Sequence, residues 1–257
     1  MSQSLARLAS AALLALLANA AQAHQLIAPS VPIANLSQSD IAAQFGQWVM
    51  NYPIASSPLL DATGANSAVG DQGSYFFLGG SFASDPVVRN VTVRSNLILV
   101  INLTSVTDWM GNGLNTEALI REEAANVLGI NPTLALTVDG AAATLPAGFS
   151  SLEQLRQSSP LFQMIFGPNN PAGWAESVVP AIVDGYIVAM QALAQGNYQI
   201  HVNTLTQGIG PLAGYNFSQD VTYNVTSVPE PATWASLALG LVAIGARSLR
   251  RRGLSRV

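Results

Sequence analysis

Phe217-Ser218-Gln219-Asp220-Val221-Thr222-Tyr223-Asn224-Val225-Thr226 is the stretch that decides the fold class. Phe217, Val221, Tyr223 and Val225 share one parity, while Ser218, Asp220, Thr222, Asn224 and Thr226 share the other. Successive side chains of a strand point to opposite faces, so this is a strand with one dry and one wet side. The same period runs through Tyr198, Ile200, Val202 and Thr204, opposed to Gln199, His201 and Asn203. It recurs in Leu134, Leu136 and Val138, followed by the hairpin dipeptide Asp139-Gly140, and in Val91, Val93, Leu97, Leu99 and Ile101 of residues 89–101. Strands of this kind predict a mainly β domain, an antiparallel β-sandwich of jelly-roll or immunoglobulin-like type.

Only a few peripheral helices are expected. Ser37 or Ser39 can cap one in which Ile41, Phe45, Trp48, Val49 and Tyr52 keep helical spacing until Pro53. Asn115 or Thr116 can cap another over residues 117–128, with Gly129 placed to end it. Residues 151–157 read as a third, short helix.

Composition narrows the chemistry. The chain has 257 residues and no cysteine, which excludes disulfides, thiolate metal sites and cysteine nucleophiles, and two histidines cannot build a multi-histidine metal centre. No metal and no cofactor is expected. Charged residues make up 9% against about 25% in ordinary soluble domains, and hydrophobic ones 49%. All ten basic residues are arginine, and only Arg89, Arg94, Arg121 and Arg156 fall between residues 24 and 227, against thirteen acids. Such an acidic body is no nucleic-acid binder.

The two ends carry addresses. Arg7, the apolar residues 8–17 and the small-residue site Ala21-Gln22-Ala23 before His24 read as a signal peptide over residues 1–23. At the other end, Val228-Pro229-Glu230-Pro231 precedes an uncharged run with Trp234, and then Arg247, Arg250, Arg251 and Arg252. Proline excludes itself from a helix interior, so an apolar transmembrane helix is expected at about residues 232–249, Trp234 anchoring one interface and the arginines the cytoplasmic one.

This stretch, residues 228–257, resembles the PEP-CTERM sorting signal of bacterial exported proteins. The resemblance implies export, transient anchoring in the inner membrane and processing by an exosortase. It also implies final residence on the surface or in the polysaccharide matrix of a bacterium with an outer membrane. The body, residues 24–227, resembles a broad family of uncharacterised exported bacterial proteins. The matching pattern is the tryptophan-containing helix of residues 44–53, then Asp61, Thr63, Gly64 and Gln72 before Phe76-Phe77-Leu78-Gly79-Gly80. It continues with residues 156–162, Asp184-Gly185-Tyr186, residues 196–201 and Asp220-Val221-Thr222-Tyr223. The family often has Cys where Ser67 stands and Trp where Tyr75 or Phe76 stands. It implies a fold and no activity.

Catalytic constellations are sparse. Asp61-Ala62-Thr63-Gly64 interrupts the Asp-Thr-Gly of aspartic proteases and has no second copy, so an Asp bonding its own turn is the simpler reading. Ala65 offers no ligand where a calcium loop needs one. His201 sits on a polar face, and no Gly-x-Ser-x-Gly elbow accompanies it. Trp48 belongs to the apolar stripe of its helix, whereas Trp109, placed beside Gly111-Asn112-Gly113, is a candidate for stacking on sugars from a loop. The candidate polar cluster is Asp61, Thr63, Gln72, Asp184 and His201. The expectation is an exported protein, with exosortase as processing partner, that is not an enzyme. The alternatives are a carbohydrate-binding module for extracellular polysaccharide, or a hydrolase using His201 with Asp61 or Asp184.

Overall fold

A computed structural model describes residues 24–83 and 85–230. Strand β10 (Gly196–Gln207) pairs antiparallel with β11 (Asn216–Val228) along its whole length, from Gly196↔Ser227 to Gln207↔Asn216. On the far side of β10 lies β5 (Thr133–Val138), which turns through Asp139 and Gly140 into β6 (Ala141–Ala142). Both turn residues have positive φ, 51° and 79°, as a two-residue type I′ hairpin requires. On the far side of β11 lies β3 (Val87–Arg94), and these strands form sheet 2 in the order β3-β11-β10-β5-β6.

Sheet 1 is built on β9 (Ser177–Met190), flanked antiparallel by β4 (Ile98–Trp109), with β2 (Tyr75–Leu78) outside β4. Three short strands share the other edge of β9: β1 (Leu26–Ile27), β7 (Gln157–Ser158) and β8 (Phe162–Phe166). Between the sheets, Val91, Leu99, Ile101, Tyr186, Val188, Ile200, Val202, Val221 and Tyr223 are all buried in one core. Helix α1 (Gln38–Asn51) is capped by the Ser37 side chain accepting from Asp40 N–H. It lays Ile41, Phe45, Trp48 and Val49 on the outer face of sheet 1, against Phe77, Val100, Val183 and Ile187. Helix α2 (Glu117–Leu128), capped by Thr116, packs Ile120 and Ala124 on Ile182.

The mainly β fold, its two sheets and its few helices are as expected from the sequence. The sheets are not wholly antiparallel, however: β3 runs parallel to β11, and β2 parallel to β4. Alternation tells which way a side chain faces and nothing about which strand lies beside it, so partners this remote in sequence stay invisible. Residues 89–101 likewise read as one strand but are two, β3 and β4, in different sheets. Ser95, Asn96 and Leu97 turn the corner between them, and parity survives the turn, so Val91, Val93, Leu97, Leu99 and Ile101 all enter the same core. Residues 181–190 of β9 are buried without a break because α1 covers one face and sheet 2 together with α2 covers the other; such a strand shows no alternation to read. The short helix expected at 151–157 contracts to a 3₁₀ turn, Leu152–Leu155, and Gln157 joins β7. No helix among the described residues is long and apolar enough to cross a membrane; the leader and the 232–249 segment lie outside those residues.

Arg89 is the exception to the dry interior. It shares the inward parity of Val87, Val91 and Val93 and is 3% exposed. Its Nε donates to the Asp61 carbonyl at 2.6 Å, Nη1 to those of Gly79 and Gly80 at 3.0 Å each, and Nη2 to that of Leu59 at 3.3 Å. The guanidinium also lies 5.9 Å from the centre of the Tyr223 ring, whose hydroxyl donates to the Gly79 carbonyl. Replacing Arg89 by Leu strands the carbonyls of Leu59, Asp61 and Gly80, while that of Gly79 keeps the Tyr223 hydroxyl. The expected loss is on the order of 3–5 kcal/mol of folding stability, with Lys restoring only part because it lacks the planar fork. Denaturant unfolding measures this, and an R89L chain within about 1 kcal/mol of the parent would refute the pinning role.

Candidate functional site

The candidate site grows out of an irregularity in β4. Its register with β9 runs to Asn102↔Ile187 and resumes at Thr104↔Tyr186, leaving Leu103 as an extra residue. Such a bulge points two consecutive side chains the same way, and both Leu103 and Thr104 are buried, at 0% and 1% exposure. β2 accompanies β4 only from Ile98 to Ile101. After Leu78 the chain leaves through Gly79-Gly80 toward sheet 2. A Cβ on Gly80 would stand 2.3 Å from Gln219 Oε1 and 3.0 Å from Asn102 Nδ2, so only glycine passes there without displacing them. Residues 102–109 of β4 therefore run on with no neighbouring strand on that side among the described residues.

Beside this edge lies a cavity of about 300 Å³. Phe45, Val49 and Met50 of α1 form one wall, and Val127 and Leu128 of α2 with Thr206, Tyr215 and Phe217 of the β10–β11 turn form the other. Phe82 and Tyr215, each more than half exposed, stand among its lining residues, and none of those residues carries a charge. Its floor is polar. Thr204 Oγ1 donates to the Leu103 carbonyl at 3.0 Å, Gln219 Nε2 donates to the same carbonyl, and Gln219 Oε1 accepts from Ser81 N–H at 3.1 Å. Asn102, 8% exposed, keeps its Oδ1 without a hydrogen-bond partner. This combination favours an uncharged, largely apolar ligand with a few hydrogen-bonding groups.

The polar residues singled out from the sequence have separate partners. Asp61 opens its turn as expected: Oδ1 accepts from Thr63 N–H, Thr63 Oγ1–H and Gly64 N–H, and Oδ2 from Asn66 N–H at 2.7 Å. Partial burial pushes its carboxyl up, but these bonds together outweigh that and hold it below the usual range. Gln72 donates to the Val69 carbonyl at 3.0 Å. Asp184, 8% exposed, takes a two-pronged contact from Arg156, Nε to Oδ1 at 2.9 Å and Nη2 to Oδ2 at 3.0 Å. His201, on the outer face of sheet 2, meets Asp220 Oδ1 through Nε2 at 2.8 Å, and Asn203 donates to Oδ2 of the same carboxylate. No hydrogen bond or ion pair among the described residues joins His201 to Asp61 or Asp184. Trp109 is the last residue of β4 and not part of a loop. It is half-buried, with Phe166 at 5.0 Å and Trp174 at 5.5 Å meeting it edge-on. Trp48 is core, its Nε1 donating to the Val69 carbonyl at 2.8 Å.

Of the site residues singled out from the sequence only Trp109 lines the groove; the rest of it escaped that reading. Its residues come from both helices, three strands and four loops, and the one local sign, Ser105 and Thr107 where β4 should be apolar, becomes meaningful only once β2 is seen to stop short.

Residues 227–252 match the PEP-CTERM protein-sorting motif. No curated protein and no solved structure matches the chain. The motif begins where the fold ends. Val228 is the final residue of β11, its carbonyl accepting from Ser95 N–H at 2.8 Å, and Glu230 Oε1 lies 3.4 Å from Arg94 Nη1 and accepts from Asn96 Nδ2.

Asp108, next to the groove strand's end, is the most perturbed carboxyl. Burial, with Glu123 nearby, pushes it up to about 6 against the opposing pull of the Trp109 N–H that bonds Oδ1, and its Oδ2 is buried without a partner. A carboxyl raised in the folded state leaves folding unpenalised below about pH 4 and costs stability as pH rises through 6, on the order of 3 kcal/mol in full. Asp61 and Asp71, both held low, change stability only at more acid pH. Asp108→Asn should therefore flatten the decline in unfolding free energy between pH 4 and 7, and an unchanged slope would remove the assignment.

Proposed function

We propose that this chain is an exported display protein: a β-domain carried through the inner membrane by residues 1–23, held there by the 232–249 helix, and released to the cell surface or polysaccharide matrix once an exosortase acts at the Pro229-Glu230-Pro231 motif. The observation that carries the reading is the match of residues 227–252 to the PEP-CTERM sorting motif, which marks an exosortase-processed exported protein. Two structural features support it. Val228 is tied into sheet 2 through its parallel partner Arg94, so processing beyond it would leave the sheet's backbone ladder intact and give up at most the Glu230 contacts with Arg94 and Asn96. β11 also runs from the groove at Phe217 to the exit at Val228, eleven residues or roughly 35 Å along the strand. With the anchor following directly after Glu230, the groove would sit at the end of the domain facing away from the membrane.

A role in binding rather than catalysis fits the same structure. His201, Asp61 and Asp184 each serve a different local contact, and a hydrolase would need at least two of them within hydrogen-bond reach of one substrate atom. Polysaccharide remains the natural partner of a matrix protein. The outer face of sheet 2, with Asn90, Gln199, His201, Asn203, Asp220 and Asn224, is its polar docking option.

Sorting is tested by the triple substitution Pro229→Ala, Glu230→Ala, Pro231→Ala in a host that carries an exosortase. The expected result is a full-length precursor retained in the inner-membrane fraction while the parent protein is shortened and released. Equal processing of both chains would overturn the proposal.

A further inference from the structure

The groove beside β4 has one more property, set by hydrogen-bond direction. Met110 N–H donates to the Pro180 carbonyl at 2.8 Å. In an antiparallel pair the bonded positions alternate, so 108, 106 and 104 also face β9, and Ser105 and Thr107 turn both N–H and C=O away from it. Val183, opposite Thr107, agrees: its N–H and carbonyl both point to Ser159 on the other side, at 2.8 and 2.7 Å. Nothing among the described residues pairs with the outward groups of Ser105 and Thr107, and both residues line the cavity.

We propose that this groove binds an extended, uncharged apolar peptide segment as an added strand of sheet 1, continuing the line that β2 leaves at Leu78. Two adjacent outward-facing positions on a strand are about 6.8 Å apart, the spacing at which another strand presents its own alternating donors and acceptors. A compact apolar molecule can fill the cavity, but it leaves those four backbone groups dry and unpaired, at about 1–3 kcal/mol each. A strand satisfies them. Its side chains would alternate between the α1 wall at Val49 and Met50 and the opposite wall at Leu128 and Phe217, both apolar, so the segment is apolar on both faces. With no charge in the lining, a charged segment would be desolvated without compensation. The exposed Phe82 ring, edge-on to Phe217 with centroids 6.0 Å apart, adds apolar surface at the rim.

The test uses the full chain in lipid nanodiscs and three capped hexapeptides, alternating Val-Ala, Leu-Ala and Ile-Ala, titrated by calorimetry. Each peptide is also made in two forms N-methylated at alternate residues, one form per edge. Strand addition predicts that at least one peptide binds, and that methylating one edge weakens it at least about tenfold while methylating the other leaves it unchanged. Thr107→Pro removes an N–H that points into the groove and not toward β9, and Ala172→Trp blocks the exposed mouth from a loop; each should also cost at least about tenfold. Ala172→Trp decides the matter where the proline variant does not fold. Failure of all three peptides at about 1 mM, equal binding of both methylated forms, or full affinity in the Ala172→Trp chain would each overturn the proposal, as would saturation by the neutral dye Nile red without any peptide binding. The sorting motif plays no part in this test, so its outcome is independent of how the chain is processed.

Discussion

A single buried guanidinium holds the crossing between the two sheets. Arg89 rises from β3 into the core and gathers the carbonyls of Leu59, Asp61, Gly79 and Gly80, which belong to two separate loops on either side of β2. Those loops would otherwise carry unpaired acceptors into an apolar interior, at a cost no nearby backbone donor offsets. Tyr223, fully buried and pushed up to about 12 by that burial, closes the arrangement from β11 by donating to Gly79 while its ring lies beside the guanidinium. The path of residues 79–80 from sheet 1 to sheet 2 follows from this contact, and with it the early end of β2.

From that early end the rest of the candidate site follows. Had β2 continued beyond Leu78, it would have covered Ser105 and Thr107 and closed the edge of β4. The bulge at Leu103 acts in the same place: it turns Leu103 and Thr104 inward together, so that sheet 2 meets β4 before the bulge and α2 meets it after. The two sheets part at that end, and the gap between α1, α2 and the β10–β11 turn is the cavity. Open edges are a hazard that folded proteins cover, twist or charge. Here the edge is sunk between apolar walls, which shields it from pairing with large flat sheets while leaving room for one narrow strand.

The address and the domain are physically separable. The sorting motif overlaps only the last two residues of β11, Ser227 and Val228, so nearly all of the sheet precedes it. The acidic, arginine-poor body and the arginine-rich tail divide the charge in the same way.

Much of this protein was legible in its residues. Alternation in 196–207 and 216–228, the caps at Ser37 and Thr116, the Asp139-Gly140 turn, the Asp61 turn and the sorting tail all depend on interactions within a few residues, which sequence order preserves. Arg89 left a readable trace as a charge on the apolar parity of β3, although its four partners did not. What only the tertiary structure decided is which strands lie side by side and where they stop: the parallel edges β3–β11 and β2–β4, the doubly covered β9, the pairing of His201 with Asp220 across β10 and β11, and the placing of Trp109 at a strand end among Phe166 and Trp174. Register and strand termination arise from contacts between segments up to 144 residues apart, as between Tyr223 and Gly79. A one-dimensional pattern records how each residue prefers to face, and the neighbour it finally meets is chosen by packing.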